Sequence, residues 1–242
     1  MSIYRQTRGL GVVALWAFAP AVVIQTDETT GELRFSVGAG VGEYARVVRG
    51  CSGEVLEADT FPFTALGLGA EIEGDQIRAR VYGGRAAPDE DEPAAAPPAS
   101  RGSGYFGGQV AYEGETFGLG LGAATYGGIQ EDVLPSIHIR IGRRDGFSGI
   151  LDIAPPTTMP GVTGLVRGGM AYRSAGGFGG LVGFQEVRPF DDNEGSGPFV
   201  ELRYPMLDRL AVDLGGSVHF GSNGGPSDWG LGVGLTFTPW RR

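Results

Sequence analysis

The sequence predicts an all-β protein: an antiparallel, up-and-down transmembrane β-barrel of about twelve strands. Three observations lead there. Residues 209–240 read as a hairpin with two unlike faces. Leu210, Val212, Leu214, Val218 and Phe220 alternate with Ala211, Asp213, Gly215, Ser217 and His219. Trp229, Leu231, Val233, Leu235 and Phe237 alternate with Gly230, Gly232, Gly234, Thr236 and Thr238. Side chains alternate sides along a strand, so one face is aliphatic and the other small or polar. Each arm has the roughly 9–11 residues that a tilted strand needs to cross a bilayer. Second, no helical periodicity of useful length follows the N-terminus, and glycine is abundant, with 45 residues. Third, the connections alternate in length.

In chain order, the first strand spans about 32–44, with Leu33, Phe35, Val37, Ala39 and Val41 on one side and Arg34, Ser36, Gly38, Gly40 and Gly42 on the other. A long connection, 45–61, carries apolar pairs around Cys51 and reads as a hairpin reaching past the barrel wall. The second strand, 62–73, groups Leu66, Leu68, Ala70 and Ile72. The third, 76–85, sets Ile77, Ala79 and Val81 against Arg78, Arg80 and Tyr82. Residues 86–102 form a loop rich in Pro, Ala and acids. The fourth and fifth strands, 105–113 and 115–126, meet at Gly114. In the fifth, Phe117, Leu119 and Leu121 alternate with Gly118, Gly120 and Gly122. The sixth, 132–143, opposes Val133, Ile137, Ile139 and Ile141 to Ser136, His138 and Arg140. The remaining strands are assigned to 147–154, 162–173, 177–187, 197–204 and the final hairpin. Connections after strands 2, 4, 6, 8 and 10 are short and the others longer, as in barrels with short periplasmic turns and long external loops.

Residues 1–21 read as a signal peptide: Arg5 and Arg8 precede an apolar run, and Ala19-Pro20-Ala21 fits a small-x-small cleavage site. Residues 22–31 form a periplasmic lead-in, and 32–242 the barrel domain. The net charge of −9 argues against a nucleic-acid partner, because phosphate binding needs basic surface. All 19 basic residues are Arg, and the single cysteine excludes an internal disulfide and a cysteine zinc site.

From residue 32 onward this pattern resembles bacterial outer-membrane β-barrel proteins as a class, without selecting a family. The resemblance implies a location in the bacterial outer membrane and outer-membrane lipid as a partner. Members of the class usually end in an aromatic residue; here Phe237 and Trp240 are followed by Arg241 and Arg242. A soluble barrel would bury its aliphatic face instead. Charges are absent from the quoted aliphatic positions, the other parity is rich in Gly, and Tyr112, Tyr172, Tyr204, Trp229 and Phe237 sit near strand ends. These features favour the membrane. A secreted soluble β-barrel is the alternative.

The predicted lumen carries Arg34, Arg78, Arg80, Arg140, Arg167, Arg173 and Arg203 with Glu71, Glu73, Glu113, Asp152, Glu201 and Asp213. Mixed charges in a confined space pair, which predicts an internal salt-bridge network; a selective path for a small polar solute is the functional counterpart. Inward glycines (Gly38, Gly40, Gly67, Gly69, Gly118, Gly120, Gly122, Gly230, Gly232, Gly234) predict a smooth wall on strands 12, 1 and 2 facing a charged wall. The lumen is then either a narrow water path along the glycines or occupied by the 45–61 segment.

Ser136 with His138, and Ser217 with His219 and Asp213, share faces, so an outer-membrane hydrolase is a further alternative. No complete catalytic constellation is readable, so no catalytic residue is assigned. Gly102–Gly107 matches G-x-G-x-x-G but enters a strand with no helix behind it, failing the nucleotide context. Asp191 and Asn193 lack the calcium loop's later Glu, and 89–92 is a solvated acidic run. No metal and no cofactor are expected. The function read from the sequence is a structural, adhesive or narrow-pore role.

Overall fold

The computed structural model describes residues 31–49, 55–88, 104–126, 130–154, 166–186, 195–221 and 227–241. The predicted signal peptide, most of the lead-in, Cys51 and the acidic segments at 89–92 and 191–194 lie outside the described residues. Twelve strands form one closed antiparallel barrel: β1 (Glu32–Arg49), β2 (Val55–Glu73), β3 (Ile77–Pro88), β4 (Gly104–Glu113), β5 (Phe117–Tyr126), β6 (Gln130–Gly142), β7 (Gly146–Ile153), β8 (Val166–Arg173), β9 (Gly179–Glu186), β10 (Gly195–Leu207), β11 (Leu210–Gly221) and β12 (Asp228–Arg241). Each pairs with its sequence neighbours, and β1 closes on β12. This leaves no free edge in the barrel wall.

Several strand boundaries differ from the sequence reading. Residues 45–49 and 55–61 are strand rather than connection: β1 and β2 stay paired from Glu43↔Pro62 out to Arg49↔Val55. Pairing of β1 with β12 ends at Glu43↔Trp229, and β2 with β3 at Phe63↔Pro88. The two arms therefore continue as a two-stranded ribbon beyond their last pairing with β12 and β3. The described part of β8 begins at Val166; residues 162–165, assigned to this strand from the sequence, lie outside the described residues. After β5 only 127–129 separate the strands, because pairing carries on to Tyr126↔Gln130; a nominally long connection is short there.

At the opposite end the turns are tight. Gly74 N–H donates to the Ile77 carbonyl at 2.7 Å, and Arg143 N–H to that of Phe147 at 3.0 Å. The β6–β7 turn places Gly142 and Gly146 at φ of 120° and 136°, in the region where an L side chain is strained.

The aliphatic parity faces outward and is uncovered. Leu66, Leu121, Val133, Ile141, Leu231 and Phe220 are all more than half exposed. One correction concerns charge: Glu43, Arg85 and Glu186 share this outward parity, but each lies at the strand end away from the tight turns. They bound the apolar band rather than interrupt it. Trp229 Nε1 donates to Glu43 at 3.1 Å along that rim. At the turn end Tyr172 stacks tilted between Phe147 and Phe178, with centroids 4.9 and 6.4 Å away. Aromatic rings at both rims of an apolar band form the girdle expected at membrane interfaces.

Candidate functional site

The other parity builds the lumen. Near the tight turns, Arg34 on β1 donates to Glu71 at 2.6 Å and Glu73 at 2.5 Å on β2, and it also pairs with Glu32. The buried Glu73 carboxylate takes two further arginines from across the barrel, Arg144 at 2.8 Å and Arg173 at 2.9 Å. Arg144, in the β6–β7 turn, also donates to the carbonyls of Gly74, at 3.0 Å, and Asp75. It ties two turns together.

Deeper in, a continuous chain of pairs crosses six strands. Arg78 on β3 lies 2.5 Å from Glu113 on β4. Glu113 accepts from Arg140 Nε on β6 at 3.0 Å. Arg140 spends its two terminal nitrogens on the carbonyls of Gly142 and Gly114, both at 2.5 Å. His138 Nε2 faces Glu113 at 3.5 Å, while its Nδ1 meets Asp152 on β7 at 2.5 Å. Asp152 accepts from Arg167 Nε on β8 at 2.9 Å, and Arg167 reaches Glu201 on β10 at 2.7 Å. Each charge in this chain meets a counter-charge on the next strand or the one after it, which offsets the cost of removing it from water. On the other side Arg203 pairs with Asp213 at 2.6 Å, and the Thr236 hydroxyl donates to Asp213 at 2.6 Å. Arg80 is the exception: its Nε and Nη2 donate to the neutral Gln109 Oε1 at 3.2 and 2.7 Å, and Gln109 in turn donates to Ser136 at 3.0 Å.

Between these groups lies a cavity of about 880 Å³, lined from the turn end by 174–177 and 205–209 and in its depths by Arg80, Tyr82, Arg167 and Glu201. It hugs β8–β12 and β1–β3. The half of the lumen formed by β4–β7 is filled, with Gln109, Glu113, Ser136, His138, Arg140 and Asp152 all buried. Farther from the turns, Phe63, Tyr105, Phe199, Gln185, Ser217 and His219 point inward, all at or below 9 % exposure, and do not reach the cavity. His219 is held between Gln185 at 2.7 Å and Asp228 at 2.5 Å.

Two tyrosines close this layer by interlocking with glycine. Tyr82 opposes Gly107 and Tyr105 opposes Gly84 across β3–β4. A Cβ at Gly107 would meet the Tyr82 hydroxyl at 2.3 Å, and one at Gly84 the Tyr105 hydroxyl at 2.4 Å. Only a residue without a side chain lets the ring lie across the neighbouring strand.

All thirteen charged residues of the predicted network point into the lumen or line its cavity, but the predicted partition of the walls is altered. The glycines on β12 and β1 lie side by side, Gly232 against Gly40 and Gly234 against Gly38. Those on β5 do not form open wall. A Cβ at Gly118 would lie 2.7 Å from Glu113, and one at Gly120 3.0 Å from Ala111 and His138; the ionic side chains of neighbouring strands cover them. Glu32, Gln109, Gln185 and Thr236 were missed, though each shares the lumen parity. Arg144 and the ring layer were missed for another reason: a turn has no parity, and an inward aromatic reads as core. Neither histidine is hydrogen-bonded to the serine two positions before it. Among the described residues no group of His, Cys, Asp or Glu is arranged to hold a metal.

The architecture is that of the bacterial outer-membrane β-barrel class. No protein-family model matches the chain, and no curated protein matches it. Among solved structures it is similar to Neisserial surface protein A, with 11 % identity, a TM-score of 0.32, and coverage of 85 % of this chain and 96 % of that one. It is also similar to the outer membrane protease OmpT from Escherichia coli, with 13 % identity, a TM-score of 0.35, and coverage of 88 % and 99 %. Such distant likeness adds nothing about activity; the class rests on the closed pairing and the exposed apolar band.

Proposed function

We propose that this chain is an outer-membrane β-barrel with a closed lumen, a membrane-anchored structural or adhesive scaffold. The observation that carries the reading is the layer of buried inward side chains among the described residues, from Phe63 to His219, above a cavity lined from the turn end. The outward band supports the membrane location: soluble monomers rarely expose contiguous apolar patches beyond a few hundred Å². In this class the short turns lie in the periplasm, so the cavity faces the periplasm and the β1–β2 ribbon projects outward, where an adhesive contact is made.

The reading assigns no hydrolysis to the histidines. It is supported by His138 and His219 each directing Nδ1 at a carboxylate, while neither bonds a serine among the described residues. The test is single-channel recording of the refolded protein in a planar bilayer. No resolved conductance steps are expected. A steady open-pore conductance would overturn the closed-lumen reading in favour of the narrow pore.

A further inference from the structure

Among the arginines in the depths of the periplasm-facing cavity, Arg80 alone makes no ion pair with a carboxylate of a described residue. Each carboxylate in its depths already has an arginine: Glu71 has Arg34 at 2.6 Å, Glu201 has Arg167 at 2.7 Å, and Asp213 has Arg203 at 2.6 Å. Arg78, on the same face of β3, is taken by Glu113 at 2.5 Å. Arg80 sits among them at the inner end and has no carboxylate of a described residue within ion-pair distance. Its register partner across β2–β3 is Glu71, which is engaged with Arg34. Among the described residues only Gln109 bonds Arg80, through Nε and Nη2, which leaves Nη1 of this cavity-lining arginine without an acceptor among them.

An arginine kept charged in a confined space without a counter-ion is costly, and every other lumen arginine in the network has been given one. Gln109 is also well suited to aim it. By accepting from two of the guanidinium nitrogens, and being fixed in turn on the buried Ser136, it holds the plane still while leaving one edge presented. A pre-aimed guanidinium loses less freedom when an oxyanion binds. The volume of about 880 Å³ falls in the range of small-molecule sites, about 300–1,000 Å³. It exceeds what a lone inorganic ion needs. Leu181 and Tyr82 supply apolar lining beside the arginine.

We infer that the cavity binds a small water-soluble anion, carrying a carboxylate or phosphate group, with Arg80 as the counter-ion at its closed end. The solute comes from the periplasm, because the mouth opens at the turn end of the barrel and not through the lipid-facing wall. The inference deepens the closed-lumen reading and rests on it.

The test uses the full refolded barrel in neutral detergent, titrated calorimetrically with citrate, with inorganic pyrophosphate and with uncharged sucrose. Saturable binding of citrate or pyrophosphate, and none of sucrose, is expected. Arg80→Gln should weaken it at least about tenfold, the effect of removing a charge-assisted hydrogen bond. Arg80→Lys should restore part of it, and Arg85→Gln, at the far rim, should leave it unchanged. Heat-dependent gel mobility reports that each variant is folded. A fully folded Arg80→Gln protein with undiminished binding overturns the inference, as does absence of anion binding by the parent. Binding only of phosphatidylglycerol in mixed micelles overturns the soluble-solute assignment. Conductance in a bilayer instead defeats the closed-lumen reading, so the two failures are distinguishable.

Discussion

The two halves of the lumen use the same residue types to different ends. On β4–β7 the acids and bases are buried, touch several partners each and leave no space; Asp152 alone holds His138 and Arg167. On β10–β12 the pairing is local, Arg203 to Asp213 on the adjacent strand, and Arg203 borders the cavity with its side chain 38 % exposed. The difference follows from what lies opposite each charge. Inward glycines on β5 let side chains from β4 and β6 lie over them, so the network closes on itself there. On β1 and β12 the cavity is lined by Arg34, Ser36, Thr236 and Thr238, and the Arg203–Asp213 pair of β10 and β11 does not fill it. Burial therefore sets how much each pair stabilises, and substitution on either side separates the two cases.

The largest effect is expected at Asp152. Its side chain is 2 % exposed between His138 and Arg167, so Asp152→Ala leaves Arg167 with Glu201 alone and strands the imidazole. Breaking a buried pair by removing one partner costs about 3–5 kcal/mol. Equilibrium urea unfolding in lipid vesicles should show that loss. A change below that seen at Arg203 would mean that the filled half is not the stable half.

The outward face gives the control. Ile139 lies behind the filled half and Leu231 behind the hollow half, and both point outward in the apolar band. Arg at either site should cost about 2–4 kcal/mol if the site is near the bilayer midplane. The two costs should agree, because lipid does not sense what the lumen holds. If both variants unfold like the parent, and the protein stays soluble without detergent, the membrane assignment fails.

Much of this was legible from a period of two. Arg78, Glu113 and Arg140 sit at positions where the sequence alternates aliphatic with polar, and the same alternation turns them inward. Strand number and turn positions were legible for the same reason, since a slip of one residue would invert a whole face. What lay beyond reach was depth and crossing. Nothing in the sequence shows that Glu73 on β2 meets Arg173 on β8, since that contact spans the closed barrel. Nor does it show that the β5 glycines lie beneath neighbours' side chains while those of β12 lie beside one another. The ribbon at the β1–β2 end escaped because its alternation fades where neither flank is paired to a third strand, so its residues read as loop.

The smallest expected effect is at Arg203, and it decides whether the hollow half is held by its ions. Arg203→Gln removes the partner of Asp213 but leaves Asp213 accepting from the Thr236 hydroxyl at 2.6 Å. The cavity beside it supplies water to the carboxylate that loses its cation, so no unsolvated charge is created. Partly exposed ion pairs are worth about 0–1 kcal/mol, and the unfolding free energy should fall by no more than that. The difference from Asp152→Ala, measured under the same conditions, is then the contribution of enclosure rather than of charge. Should Arg203→Gln cost as much as Asp152→Ala, water does not reach that wall, and the cavity is too dry to receive a soluble anion.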